Sequence, residues 1–298
     1  VPVPSPYADQ LDAIPVTERI ADVGGVRTAY WEYGSAEAAV TIVAVHGFRG
    51  DHHGLEPVVA QMPEVRWIMP DLPGFGATPP IPGSPHDLAA YVGWLDAFAR
   101  EVAPGAFVLG HSFGSIVASA AVAGGTPTPR LILVNPIGAP ALAGPRGAMT
   151  RLAVLYYRLG AWLPERLGTW LLRTRIVVRI MSVAMAKTRE RPLRRWIHDQ
   201  HDRFFSGFSD RTTLRQAFVT SVSHDVRASA GRITQPTLLV AAVQDDITPI
   251  RAERELARLF SSAELVEVDG VGHLIHYEKP REAAAAIRAF LDESSSRS

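Results

Sequence analysis

Short apolar runs recur along the chain at Val40–Val45, Val65–Met69, Ala106–Leu109, Leu131–Val134, Thr237–Val243 and Glu264–Val268, with helix-like segments between them. Runs without a polar face read as strands buried on both sides. Their alternation with helices predicts a mostly parallel, doubly wound α/β sheet. Near the start, Arg19–Val23 and Arg27–Tyr33 flank Gly24-Gly25, a pair suited to a two-residue hairpin turn. The hairpin adds an antiparallel edge and brings the expected sheet to eight strands. Between Leu131–Val134 and Thr237–Val243 no comparable strand occurs, and from about Ala148 to Phe218 the pattern is helical. Large apolar side chains crowd that stretch, among them Leu152, Leu155, Tyr156, Leu159 and Trp162, then Trp170, Leu171, Ile176, Val177, Ile180 and Met181. An all-helical insertion after a central strand would lie over the crevice where open α/β sheets take ligands, so it is expected to form a cap. The expected organisation is core at 1–139, helical cap at 140–226 and core again at 227–298.

Composition narrows the class. The 298 residues are 47% apolar and 20% charged, as in a globular chain long enough for one large α/β domain. Net charge is zero, so no global field favours nucleic acid as a partner. The absence of cysteine excludes disulfides, thiolate metal sites and a cysteine nucleophile, and leaves the redox compartment open. No uninterrupted apolar segment spans a bilayer, and a cytoplasmic location is expected. The chain begins Val1-Pro2-Val3-Pro4 without Met, which suggests processing or trimming. Residues 1–16 are expected to form an extended proline-rich arm and Ser294–Ser298 a frayed tail.

Gly110-His111-Ser112-Phe113-Gly114 carries the strongest chemical signal. The pentapeptide lies between a strand-like run and the small-residue helix that begins at Ser115. Such a turn strains the serine, lifts its hydroxyl clear of the sheet and sets it at a helix N-terminus. A serine hydroxyl needs a base to take its proton, and the base needs an orienting partner. Asp245 and Asp246 follow the strand-like run Thr237–Val243, and His273 follows Glu264–Val268. Neighbouring parallel strands would bring these loops to one sheet edge, and the order serine, aspartate, histidine suits a hydrolytic triad. An oxyanion would be held by backbone N–H groups. Phe113, next to the serine, is one candidate donor, and Phe48 in His46-Gly47-Phe48-Arg49-Gly50 is the other.

The pieces HGF at 46–48, DLPGFG at 71–76, GHSFG at 110–114, QDDITP at 244–249 and GVGHLIHYEKP at 270–280 resemble those of the α/β-hydrolase superfamily. They span nearly all of the core and leave the cap uncovered. The resemblance implies the α/β-hydrolase fold and a triad of Ser112, Asp245 and His273. Its D-x-x-x-P spacing selects Asp245, four residues before Pro249, over Asp246. It supports Phe48 as an oxyanion donor, and it gives His276 a packing role and Asp71–Gly76 a structural one. Serine at the nucleophile position argues against epoxide opening and halide displacement, which in relatives use aspartate. No metal or organic cofactor is implied. The expected activity is hydrolysis of a small carboxylic ester with an apolar acyl or alcohol part, of the carboxylesterase or lipase type. Thioesters, lactones, amides, C–C bonds of diketones and cofactor-free perhydrolysis are the alternatives within the fold, and a slow-turnover ligand receptor is the alternative outside enzymes.

Three other features are weighed against plainer readings. His198 and His201 stand at helical spacing beside Asp199 and Asp202, which can ligate a metal but more simply makes a polar helix face. Asp51-His52-His53 follows the Phe48 loop and either lines the pocket mouth or, in the favoured reading, makes a helix cap at Asp51 with two polar loop histidines. From Arg146 to Arg203, thirteen Lys/Arg stand against Glu165, Glu190, Asp199 and Asp202. This basic cap either makes weak contact with a membrane surface or, in the favoured reading, solvates its arginines outside while its apolar residues pack inward. The oligomeric state is left open.

Overall fold

The computed structural model describes residues 2–139 and 147–295. Its centre is one eight-stranded sheet: β1 (Val16–Val23), β2 (Val26–Tyr33), β3 (Thr41–Val45), β4 (Arg66–Pro70), β5 (Phe107–His111), β6 (Leu131–Val134), β7 (Thr237–Ala242) and β8 (Ala263–Val268). The strands lie in the order β1-β2-β4-β3-β5-β6-β7-β8. Only β1 with β2 and β2 with β4 pair antiparallel; the later neighbours are parallel. Gly24 and Gly25 close the hairpin with φ of 57° and 82°, the positive values that such a two-residue turn demands of both residues.

The helices outside the insertion are α1 (Ala8–Asp12), α2 (Glu56–Val59), α3 (Leu88–Glu101) and α4 (Phe113–Ala123). Between β6 and β7 run α5 (Gly147–Trp162), α6 (Glu165–Leu172), α7 (Arg175–Met185), α8 (Arg191–Phe204), α9 (Arg211–Ser223) and the short α10 (Arg227–Ala230). The chain closes with α11 (Ile250–Ala257), α12 (Ile275–Glu278) and α13 (Pro280–Ser295).

Alternate residues of the central strands feed two separate cores, which is why the strands are apolar throughout. Val43, Val45 and Leu133 face Tyr91, Phe98 and Ile116 of α3 and α4. Ile42, Ala44 and Val134 face Ile287, Phe290 and Leu291 of α13. The parallel strands end on the same side, and the loops that leave them there carry Ser112, Asn135, Asp245 and His273.

Several expectations are corrected. The N-terminal segment is not simply extended. It forms α1, and the Tyr7 hydroxyl donates to the Tyr277 carbonyl at 2.8 Å, which pins it to the core. The hairpin strand starts at Val16, so the arm is shorter than expected. His198 and His201 do not make a polar outer face. Both are buried, and their Nδ1 atoms lie 2.6 and 2.7 Å from Ser182 Oγ, a hydroxyl able to donate to one and accept from the other. Asp51 caps as expected, accepting from His53 N–H, but His52 is buried and stacks on Trp31 with ring centroids 3.3 Å apart. The apolar residues of the insertion do not all pack inward either: Trp162 and Trp170 are 82% and 67% exposed. Arg146 and the expected boundary between 139 and 140 lie at or outside the described residues, as does the tail beyond Ser295.

Candidate active site

The turn from β5 into α4 places Ser112. Its φ of 54° and ψ of −118° lie where side chains are strained, and the neighbours explain how the turn is kept so tight. A Cβ on Gly110 would come 2.4 Å from the Gly114 carbonyl oxygen, and one on Gly114 would come 2.2 Å from that of Val45. Glycine at both positions is therefore a packing requirement. The serine sits at the N-cap of α4, where the first N–H groups have no intrahelical acceptor.

Ser112 Oγ lies 2.8 Å from His273 Nε2, and His273 Nδ1 lies 2.8 Å from Asp245 Oδ2. The other carboxylate oxygen of Asp245 accepts from Ile247 N–H at 2.7 Å and Thr248 N–H at 3.2 Å. Burial alone would raise this carboxyl's pKa, but the His273 ring and those backbone donors outweigh it and hold the group below its ordinary value. Asp246 points elsewhere, to an ion pair with Lys187. The structure thus brings Ser112, Asp245 and His273 together and leaves Asp246 out.

The loop after β3 approaches the same serine. A Cβ on Gly47 would sit 3.1 Å from His111 Nδ1 and 3.2 Å from Ser112 Cβ, so glycine eases the close approach of this backbone to the serine. Phe48 meets Phe113 edge to face with ring centroids 6.5 Å apart. His46 braces the loop. Its Nε2 accepts from Leu72 N–H at 2.9 Å and its Nδ1 lies 2.8 Å from the Gly47 carbonyl, so the neutral ring donates from Nδ1. Burial keeps His46 below its usual pKa. The Asp71–Gly76 turn beneath has the structural part expected of it: Asp71 accepts from His52 and Ala77 N–H groups.

A cavity of about 130 Å³ opens beside Ser112. Phe48, Leu55, Met181, Met185, Phe205 and Ile247 supply apolar wall, and His46, His111, His273 and His276 lie around it. Met181 and Met185 come from α7, so the insertion contributes directly to the site. His276 is buried with its ring centroid 4.1 Å from that of His111. Burial first, then the neighbouring imidazoles, drive the pKa of His276 far down and that of His111 to about 3.

Two positions near the site escape sequence reasoning. Asn135, at the end of β6 with φ of 45°, donates from Nδ2 to Asp245 Oδ2 at 3.2 Å. A polar residue closing the apolar run Leu131–Val134 is the signal that points to it. Arg49 is almost fully buried and reaches from the Phe48 loop into the insertion, bonding the Phe205 and Leu172 carbonyls at 2.8 Å each. Nothing local distinguishes it from an exposed loop arginine.

Among groups with ligand chemistry, Asp51, His52 and His53 bring donor atoms within 4.8 Å of one another. Within this group His53 Nδ1 lies 3.1 Å from Asp51 and His52 Nδ1 lies 2.9 Å from Asp71.

Comparison with known proteins agrees with this architecture. The chain is 32% identical over 93 residues to the biotin biosynthesis bifunctional protein BioHC of Teredinibacter turnerae, covering 31% of this chain and 16% of that protein. It is 36% identical over 70 residues to the pyrrolizixenacetamide deacetylase of Xenorhabdus hominickii, covering 24% of this chain and 26% of that one. The chain thus spans about a quarter or less of the length of either curated relative. The solved esterase of Exiguobacterium antarcticum superposes with a TM-score of 0.75 at 15% identity, covering 93% of this chain and all of that one, a likeness of fold. The model of the alpha/beta hydrolase family matches residues 42–287, and the chain belongs to that family.

Proposed function

We propose that this protein is a serine hydrolase that cleaves carboxylic esters with an apolar acyl or alcohol part through an acyl-enzyme. The observation that carries this reading is the continuous hydrogen-bonded line from Asp245 through His273 to Ser112 Oγ, ending at a mostly apolar cavity. His273 Nε2 takes the Ser112 proton as Oγ bonds to the carbonyl carbon. The carbonyl electrons move onto oxygen, where the Phe48 and Phe113 N–H groups receive the charge. Collapse expels the alcohol, which leaves with the proton from Nε2. Water then repeats the sequence on the acyl-serine and releases the acid. Asp245, held ionised, orients the ring and stabilises its charged form. The cavity is smaller than the roughly 300–1,000 Å³ of sites for drug-sized ligands, which supports a short acyl group.

The test is hydrolysis of p-nitrophenyl esters from acetate to palmitate by wild type and Ser112→Ala, with covalent labelling by a fluorophosphonate. Serine-dependent turnover that falls off with chain length supports the reading. A folded protein that turns over none of them, or a Ser112→Ala variant that still labels at the site, would overturn it in favour of the other bond types or of a receptor.

A further inference from the structure

We propose that the outer face of α5–α7 docks on an anionic lipid surface. Each of these helices buries residues on one side and presents a second, apolar line to water. On α5, Leu155, Leu159 and Trp162 are exposed at spacings of four and three residues. On α7, Ile176, Ile180 and Val183 repeat that spacing, while Val178 and Ser182 are buried on the opposite side. Leu167 and Trp170 make a shorter line on α6. Spacing of this kind keeps side chains on one helix face, so these are surfaces and not scattered residues. Eight of the thirteen exposed large apolar side chains among the described residues lie on these three helices. Scattered apolar residues are ordinary at a surface, but a concentration of this kind marks an interaction face.

Charge selects the occupant. The exposed Arg158, Arg166 and Arg175 have no acidic partner among the described residues, and Glu165 is the one acid in the sequence from 147 to 185. The chain as a whole is neutral, so this excess is local. Exposed tryptophan and aliphatic side chains on helices that also carry exposed arginines match the boundary between anionic headgroups and acyl chains. A second copy packed face to face would set arginine against arginine. No described helix is long and apolar enough to cross a membrane, so the helices would lie in the interface plane. The inner face of α7 supplies Met181 and Met185 to the Ser112 cavity, so docking brings the cavity wall to the lipid.

The test is sedimentation of the full chain with phosphatidylglycerol-containing vesicles and with pure phosphatidylcholine vesicles, at low and high salt. Binding to the anionic vesicles, at least roughly tenfold tighter than to neutral ones and weakened by salt, is expected. Trp162→Ser with Ile180→Ser should weaken it by roughly tenfold or more. Arg158→Gln, Arg166→Gln and Arg175→Gln should each cost roughly fivefold on anionic vesicles. All variants are first matched to wild type in thermal midpoint and circular dichroism. Binding to neither vesicle, equal binding to both, or binding that the variants leave unchanged overturns the proposal. A concentration-dependent dimer that Trp162→Ser with Ile180→Ser dissociates, without vesicle binding, overturns it in favour of self-association. None of these readouts depends on hydrolytic activity, so failure here is separable from failure of the ester reading.

Discussion

The Arg49 guanidinium donates to the Leu172 carbonyl at 2.8 Å, tying the end of α6 to the loop that carries Phe48. The same side chain bonds Phe205 O and the Tyr157 hydroxyl, with the Phe208 ring 5.6 Å away. A buried cation is thus satisfied by carbonyls, a hydroxyl and a ring face, and the insertion is fastened to the loop that carries Phe48. Arg49→Ala should destabilise the protein by about 2–4 kcal/mol, because buried carbonyls lose their donors and a void remains. Urea denaturation gives the magnitude, and limited proteolysis should show the first new cuts between residues 147 and 172.

The strain at Ser112 makes a separable prediction. Ser112→Ala keeps a Cβ at φ of 54°, whereas Ser112→Gly removes it. Both should be inactive, and the glycine variant should be the more stable by about 1 kcal/mol. Equal thermal midpoints for the two would show that the turn carries no strain.

Three of the buried histidines weigh on the acid side of the stability profile. Burial and neighbouring charges put His111 and His201 at about 3 and His276 well below its usual value. The unfolded chain binds protons at these rings near pH 6.5, the folded one does not, and stability is therefore lost as pH falls below about 6.5. The slope contributed by each is at most about 1.4 kcal/mol per pH unit. His201→Asn, which can still bond Ser182, should flatten the profile between pH 6.5 and 4.5 in urea titrations.

Glu253 acts in the opposite direction. Burial first, and then the Asp245 charge, raise its pKa well above the usual carboxyl value. The folded state keeps this proton where the unfolded chain releases it, so its contribution is complete below about pH 4.5 and declines as pH rises. Glu253→Gln should therefore gain stability relative to wild type at pH 8 and gain little at pH 4.

The narrow cavity predicts chain-length control by α7. Met181→Ala and Met185→Ala remove flexible wall and should shift the kcat/KM ratio of octanoate to acetate esters upward by roughly tenfold. An unchanged ratio would place the acyl chain elsewhere.

Much of this protein is legible locally. Apolar runs, Gly24-Gly25 and the paired glycines around Ser112 specify strands, hairpin and turn, because buried strands need apolar residues on both faces, the two-residue hairpin turn takes positive φ, and a Cβ on Gly110 or Gly114 would strike backbone. The order of Ser112, Asp245 and His273 at strand ends was equally readable, since parallel strands deliver their following loops to one edge. Tertiary structure alone decided which side of each inserted helix meets the core. It buried His198 and His201 around Ser182, turned Asp246 to Lys187, drew Arg49 inward and left Trp162 and Trp170 in water. Helical periodicity says which residues share a face, but a helix with two apolar faces does not say which one is covered. That depends on neighbours distant in sequence, and so does the partner each buried polar group finds.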